Sequence, residues 1–233
     1  MLEFLGRGSA FADEHNSAFF IYGNDLILLD CPAASFQKVK KMKGLSEFEN
    51  IFILVTHTHG DHIGGIGTML QYAWFALNKK VTVVAPSEQV ENDLNMLLRN
   101  IEGCEKKWFS ITTVGELSKK WLVSSVLTRH TETLDGRCFG YHLKINGKNV
   151  VYTGDTAVLA PFIPLLKNGD YLYTEASYYK SDVHLYIKDI LPELVNLTQN
   201  GMNIYLMHID NEAEIEKIIE NTDIKLATLF QEK

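Results

Sequence analysis

The feature that most constrains this chain is an apolar segment that runs directly into a cluster of histidines. Residues 51–56 read IFILVT, and the residues after them read HTHGDHIGG. A continuous apolar run of this length is typical of a strand buried on both faces in a layered α/β fold. Three histidines and an aspartate then follow within six residues: His57, His59, Asp61 and His62. A tight, glycine-containing loop could turn all four side chains toward one point.

The residue types in this loop favour a metal site. Neutral imidazoles and a carboxylate are suitable ligands for Zn²⁺ and also for Fe or Mn, so the ligand set alone leaves the metal open. The alternative is a polar surface loop. That alternative is weaker, because residues of these types pack poorly in a core and their density contributes no stability of its own.

The rest of the chain alternates short strand-like runs with helical patterns, which predicts an α/β (α+β) architecture. Of its 233 residues, 46% are hydrophobic and 22% are charged, as in ordinary globular proteins, and we predict one domain over residues 1–233. The predicted strands are 2–6, 17–23, 25–31, 51–56, 81–86, 121–128, 137–145, 149–154, 171–177 and 203–209. The predicted helices are 35–43, 67–78, 87–100 with Ser87 as its N-cap, 187–199 and 212–220.

Cysteine usage and charge limit the classes of protein to consider. Cys31, Cys104 and Cys138 are scattered and form no CxxC pair, which fits a reducing cytosol. The chain begins without a signal-peptide pattern, and no apolar run approaches the roughly 18 residues of a membrane span, so we expect a cytoplasmic protein with no membrane partner. The formal net charge of −7 disfavours extended nucleic-acid binding, which needs a broad basic surface.

Two metal sites would need more ligands than the histidine-rich loop supplies. Three further candidates each stand at the end of a predicted strand: His130, Asp155 and His208. Active-site loops converge at strand ends in layered α/β folds, which favours these residues over isolated surface positions. Asp155 is the candidate for a carboxylate that bridges two ions, because each of its oxygens could face one metal.

The segment THTHGDHIGG (56–65) resembles the HxHxDH signature of the metallo-β-lactamase-fold hydrolases. Later segments match that superfamily in order: His130 ahead of Gly140-Tyr141, then Tyr152-Thr153-Gly154-Asp155-Thr156, then His208. The resemblance implies a four-layer αββα sandwich that holds two divalent metal ions. It also implies the ligand sets: one ion takes His57, His59 and His130, the other takes Asp61, His62 and His208, and Asp155 bridges them.

Two features are similar to the phosphodiesterase branch of that superfamily, which contains ribonuclease Z and small cyclic phosphodiesterases. One is FLGRGSAF (4–11), followed by His15-Asn16-Ser17. The other is Thr174-Glu175-Ala176-Ser177, followed by Asp182-Val183-His184. This resemblance implies that Glu175 orients His184, which donates a proton or hydrogen bond to the substrate. Where the family commonly reads His-Ser-Thr, this chain reads His184-Leu185-Tyr186, a departure that affects the hydroxyl contacts beside the histidine.

We therefore predict a dinuclear-metal hydrolase that attacks a phosphodiester with a hydroxide bridging the two ions. Zinc is the expected metal, with manganese and iron as alternatives, and the predicted catalytic residues are Asp61, Glu175 and His184. The interval from His130 to Asp155 is too short for the arm with which ribonuclease Z proteins commonly grip transfer RNA. A small or cyclic phosphodiester is therefore the expected substrate.

Three other functions use the same residues or fold. A lactone hydrolase of the acyl-homoserine-lactonase type shares the seven ligands but does not need the Glu175–His184 pair. A ribonuclease Z-like RNA endonuclease shares that pair. A ligand-binding regulatory protein could keep the fold without catalysis, but such a protein often loses ligands, and all seven are present here.

The resemblance also favours a homodimer. Five aromatic residues could wall a pocket for a flat group, although their helical spacing favours core packing for most of them: Tyr72, Trp74, Phe75, Trp108 and Phe109.

Overall fold

The computed structural model describes residues 1–231, so the last two positions of the predicted domain lie outside it. Within these residues the chain forms two six-stranded β-sheets that pack face to face. The first sheet contains β1 (Glu3–Gly6), β2 (Ser17–Tyr22), β3 (Asp25–Leu29), β4 (Asn50–Leu54), β5 (Val81–Ala85) and β6 (Phe109–Thr113). The second contains β7 (Leu122–Thr128), β8 (Cys138–Ile145), β9 (Lys148–Tyr152), β10 (Tyr171–Glu175), β11 (Asn203–Met207) and β12 (Lys225–Leu226).

The helices lie between strands or connect them. The α-helices in the described part of the chain are α1 (Ala33–Val39), α2 (Gly60–Ile63), α3 (Ile66–Leu77), α4 (Glu88–Asn95), α5 (Ile187–Gln199) and α6 (Glu212–Ile219). A π-helical turn (Met96–Ile101) extends α4, and short 3₁₀ turns lie at Leu45–Glu47, Glu132–Leu134 and Ile163–Leu165.

The two halves of the chain repeat one strand pattern. In each sheet the first three strands pair antiparallel, and the last four run parallel to one another. The carboxyl ends of parallel strands lie at one edge of a sheet, and loops at that edge are where α/β proteins bind ligands. The loops after β4, β9, β10 and β11 carry predicted site residues, so the topology delivers them to corresponding edges of the two sheets.

Three apolar cores separate four layers. Along β4, Ile51 and Ile53 face α1, α3 and α4, whereas Phe52 and Leu54 face the second sheet. The outer face of the second sheet packs on α5 and α6 in a third core. A central strand must therefore be apolar at every position, as the run at 51–56 indicated. This arrangement confirms the predicted αββα sandwich.

The predicted strands and helices are all present, with shifted ends. The Ser87 hydroxyl caps α4 by accepting a hydrogen bond from Val90 N at 3.4 Å. The first helix ends at Val39, before the end at residue 43 that the sequence indicated. Two strands were not predicted, β6 and β12. The sequence of β6, FSITT, lacks an apolar run and lies half-buried at the edge of the first sheet, and β12 spans only two residues.

The histidine-rich segment is only partly a loop. Residues Gly60–Ile63 form a single turn of helix, α2, in which Gly64 N donates to Gly60 O at 2.9 Å. The predicted tight, glycine-containing loop therefore includes one helical turn. His57 and His59 precede it in extended or irregular backbone, and Asp61 and His62 lie within it.

Hydrogen bonds tie the second sheet to the end of β4. The buried Tyr141 hydroxyl on β8 donates to Val55 O at 2.5 Å, and Phe139 N donates to Thr56 O at 3.1 Å. These bonds fix the backbone immediately before His57, so the position of the histidine-rich segment depends on both sheets.

Two features that led us to expect a cytoplasmic protein, the unpaired cysteines and the lack of a membrane span, can be compared with the structure. Cys31, Cys104 and Cys138 are buried free thiols. Among residues 1–231, no helix has both the length and the apolar composition needed to cross a membrane.

Candidate metal centre

The first group of predicted ligands is a set of three imidazoles. The nitrogen His57 Nε2 lies 3.0 Å from His59 Nδ1, and His130 Nε2 lies 3.4 Å from that same atom. His130 follows β7, so it reaches this group from the second sheet, and its Nδ1 bonds Val183 O at 2.7 Å. One nitrogen from each ring lies within 4.8 Å of the others. Three histidine nitrogens that converge in this way match the donor sets of protein zinc sites.

The second group combines two carboxylates with two imidazoles. Asp61, His62, Asp155 and His208 each place a donor atom within 4.8 Å of the others. His62 Nε2 is 3.4 Å from an oxygen of Asp61 and 3.4 Å from Asp155 Oδ1, and His208 Nε2 is 3.2 Å from Asp155 Oδ2. Mixed nitrogen and oxygen donors suit Zn²⁺, Mn²⁺ or Fe²⁺.

Asp155 lies between the two groups. Its Oδ2 is 3.9 Å from His57 Nε2 and 3.9 Å from His130 Nε2, in addition to its short distance to His208. Gly154 precedes it with φ of +60°, and an added Cβ there would come within 2.7 Å of Phe139 O. The glycine therefore permits the turn that brings the carboxylate against both groups.

The seven predicted ligands thus meet at one end of the two sheets. His208 adopts φ of +50°, in the left-handed region that non-glycine residues seldom occupy. Such conformations persist where the surrounding structure determines them, and they concentrate at functional sites. The strained backbone turns the His208 ring toward Asp155 directly after β11 ends.

Asp30 is a site residue that sequence reasoning missed. It follows β3 directly, is wholly buried and has φ of +60°. Its carboxylate lies 2.8 Å from His62 Nδ1 and accepts hydrogen bonds from Thr56 N and Thr56 Oγ1, both at 2.8 Å. A carboxylate on the far nitrogen of a ligating histidine fixes its orientation and raises its basicity. The signal available was an acidic residue at the end of the apolar run LILL.

The polar atoms of the cluster fit a bound cation. Among the described residues, the buried atoms His62 Nε2, His208 Nε2 and Asp155 Oδ1 have no hydrogen-bond partner. Buried polar atoms are seldom left in this state, because an unsatisfied group costs about 1–3 kcal/mol. All three atoms belong to the second group of ligands, where coordination of a cation would satisfy them.

The charges of the cluster lead to the same conclusion. Burial raises the pKa of Asp155, but the charges of His208 and His62 outweigh that effect and hold the pKa well below its ordinary value. Burial lowers the pKa of His62, but Asp155 and Asp30 outweigh it and raise the pKa well above its ordinary value. The carboxylates around His62 therefore favour a positive charge at this position. A divalent ion would supply that charge and leave Nε2 as a ligand.

Beside this cluster, Glu175 and His184 form the predicted pair. His184 Nδ1 lies 2.7 Å from Glu175 Oε2, and the other Glu175 oxygen accepts a hydrogen bond from Thr156 N. Burial lowers the pKa of His184, but its hydrogen bond to Glu175 and the charge of that carboxylate outweigh this effect and raise the pKa to about 9. The His184 ring lies 4.8 Å from the His130 ring and 5.2 Å from the His208 ring, measured between centroids.

The residues after His184 have structural roles. Leu185 is buried in the third core, and Tyr186 is the N-cap residue of α5. The segment that departs from the family pattern therefore packs the outer helix layer against the sheet.

The aromatic residues of the 67–110 segment pack mainly in the first core. Tyr72 meets Phe36 edge-on at 5.7 Å, and Phe75 meets Trp108 at 5.4 Å. The expectation of core packing therefore describes these rings better than the pocket alternative.

Comparisons with known proteins place these features in a family. The family described as "Anti-Pycsar protein Apyc1" matches residues 1–231. An anti-Pycsar protein Apyc1 from Bacillus phage 010DV004 is 26% identical over 235 residues, with 91% of this chain and 90% of that protein aligned. A ribonuclease Z from Methanocaldococcus jannaschii is 32% identical over 108 residues, which cover 43% of this chain and 34% of that enzyme. Among solved structures, the metallo-beta-lactamase fold protein YhfI from Bacillus subtilis superimposes with a TM-score of 0.76 at 17% identity, covering 99% of this chain and 96% of that one.

The Asp30 contact predicts that metal affinity depends on a residue outside the ligand set. Asp30→Ala removes the acceptor that fixes the His62 ring, so we expect metal affinity to fall about 10- to 100-fold. Chelator-competition titrations with Zn²⁺ measure this change. Asp25→Ala is the matched control, because Asp25 starts β3, far from the site, and accepts hydrogen bonds from Asn50 and Lys119. Unchanged zinc affinity in folded Asp30→Ala would contradict the role of Asp30 in fixing the His62 ring.

Proposed function

The chain belongs to the Apyc1 family of anti-Pycsar proteins, and we propose that it is a metal-dependent phosphodiesterase acting on a small or cyclic phosphodiester. The observation that carries this proposal is the position of the Glu175–His184 pair against the seven-residue cluster. The cluster alone would serve several hydrolytic reactions. A histidine fixed by a buried carboxylate adds a donor for phosphoryl oxygens, which lactone opening does not need.

The two ligand groups would each hold one divalent ion, zinc in the first instance and manganese or iron as alternatives. His57, His59 and His130 would bind one, Asp61, His62 and His208 the other, and Asp155 would contact both. When bound, such ions offset the charge of a phosphodiester and lower the pKa of water toward neutrality. Asp30 would orient His62 for this role.

Asp61 is suited to orient the attacking water. Its side chain is 13% exposed, whereas that of Asp155 is 2% exposed, so Asp61 is the carboxylate of the cluster that a solvent molecule reaches more readily. Its Oδ2 also lies 3.6 Å from His208 Nε2, which restricts the carboxylate plane. A carboxylate held in this way can accept a hydrogen bond from water and direct its lone pair at phosphorus.

His184 is suited to act on the substrate as a donor. Glu175 occupies its Nδ1, which leaves the Nε2–H of the protonated ring free to donate to a phosphoryl oxygen or to the leaving group. Glu175 is buried while His184 is partly exposed, so the pair has a fixed inner end and an accessible outer end.

The structure of the segment between His130 and Asp155 supports a small substrate. Most of it is the β8–β9 hairpin, which is built into the second sheet, together with the turn Glu132–Leu134. No part of it extends as an arm among the described residues, and the net charge of −7 offers no broad basic surface for structured RNA. The similarity to a ribonuclease Z over 108 residues makes RNA cleavage the second candidate.

A substrate panel tests the proposal. We expect protein reconstituted separately with Zn²⁺ and Mn²⁺ to hydrolyse bis(p-nitrophenyl) phosphate or cyclic nucleotides. Chelation should abolish this activity and the metal should restore it, because the buried carboxylates and imidazoles act only around a cation. Cleavage confined to precursor transfer RNA would favour the second candidate. Opening of acyl-homoserine lactones with every phosphodiester left intact would contradict both.

The role of His184 predicts a loss of turnover with no loss of metal. His184→Ala should lower kcat about 10²- to 10⁴-fold, the usual contribution of a positioned proton donor. His142→Ala, which removes a histidine on β8 outside the cluster, is the control and should keep wild-type activity. Elemental analysis should find the same metal content in the wild type, His184→Ala and His142→Ala. Loss of an ion from His184→Ala would instead make His184 a ligand.

A further inference from the structure

The segment directly after β1 belongs to a sequence motif that the proposed function does not use. Arg7, Gly8 and Ser9 lie within FLGRGSAF (4–11), and none of them is a candidate ligand. In the structure this segment runs beside the residues that follow β11 in the second sheet. Gly8 forms a parallel bridge with Ile209, the residue directly after His208. The motif therefore contacts the loop that carries one of the seven candidate ligands.

Both backbone polar groups of Ile209 are bonded to this segment. Ile209 N donates to Arg7 O at 2.8 Å, and Ser9 N donates to Ile209 O at 3.0 Å. On the other side of His208, β11 continues to Met207 within the sheet. His208 thus lies between two anchored neighbours while it adopts φ of +50°. A non-glycine residue keeps such a conformation only where its surroundings impose it.

The Arg7 side chain adds a second set of bonds at the far end of the same loop. Its Nε and Nη2 donate to the two carboxylate oxygens of Glu212 at 2.8 and 2.6 Å, and its Nη1 donates to Ala227 O at 2.7 Å. Paired bonds from one guanidinium to a carboxylate have a fixed geometry, which a lysine ammonium cannot reproduce. Glu212 is the first residue of α6, so this contact fixes the point at which the loop 208–211 ends.

The ring of His208 lacks the support that orients His62. A ligating histidine is usually fixed by a hydrogen bond on its other nitrogen, and for His62 that partner is Asp30 at 2.8 Å. The corresponding His208 Nδ1 lies 3.9 Å from Glu175 Oε2, which is beyond hydrogen-bond distance. His208 Nε2 is nevertheless 3.2 Å from Asp155 Oδ2. The backbone on either side of His208 must therefore supply the orientation that a carboxylate supplies to His62.

We propose that Arg7 is a positioning residue for the second metal ion, because it holds the loop after β11 in the form that directs His208 at Asp155. This inference rests on the metal binding that the proposed function includes. Arg7 acts through the backbone of Ile209 and through the carboxylate of Glu212, not as a ligand. The ligands of the first ion lie on other segments, so the effect of Arg7 should be confined to the second ion.

Titration of the zinc-loaded protein with a competing chelator tests this role without requiring turnover. The titration resolves two stepwise zinc affinities, and His208→Ala identifies the one that belongs to the second ion. We expect Arg7→Ala to weaken that same affinity about tenfold and to leave the other within about twofold, as for a residue that orients a single ligand. Arg7→Lys keeps the charge but not the paired bonds to Glu212, so its affinity should lie between those of the wild type and Arg7→Ala.

Two further variants complete the test. Lys217→Ala is the matched control, because it breaks an exposed ion pair with Glu214 on the same helix, α6, and should change neither affinity. Glu212→Gln leaves the motif intact and keeps one acceptor oxygen, so it should weaken the second affinity even if circular dichroism shows that Arg7→Ala does not fold.

The pattern of loss separates positioning from a general effect on the fold. Equal weakening of both affinities, or an unchanged second affinity in folded Arg7→Ala and Glu212→Gln, would overturn the positioning role and leave the proposed function intact. A wild-type protein that binds no zinc would instead overturn the proposed function, and this inference with it.

Discussion

At one end of the sandwich, carboxylates are buried among imidazoles, and this burial determines what the site can bind. Asp30 and Asp155 are almost wholly removed from water, and an isolated buried charge costs many kcal/mol. The apolar cores that bury them also leave His62 and His208 with unpartnered nitrogens. A cation bound among these residues would resolve both problems, so we expect metal binding and the stability of this end of the fold to be linked.

The sandwich explains how residues far apart in sequence reach one point. Each half of the chain runs its last four strands in parallel, and the site residues follow the ends of β4, β9, β10 and β11 in addition to β7. Hydrogen bonds from Tyr141 and Phe139 then hold the second sheet to the backbone just before His57. The position of the cluster therefore depends on the contact between the two sheets. Such support suits a site whose ligands must be held in place.

Most of the fold and all seven candidate ligands could be predicted from the sequence, because the patterns that indicate them are local. A buried strand running into three histidines identifies both a central strand and its ligands, and His130, Asp155 and His208 stand at strand ends that apolar runs make visible. Asp30 was missed because its role arises from contacts with Thr56 and His62 across neighbouring strands. The edge strand β6 was missed because a half-buried strand carries no strong apolar pattern.

We expect this end of the fold to hold two metal ions, and anomalous diffraction from crystals of the zinc-loaded protein measures their number and positions. Two anomalous peaks per chain are expected. One should lie among His57, His59 and His130, the other among Asp61, His62 and His208, with Asp155 between them. A single peak, or none in fully loaded crystals, would contradict this expectation.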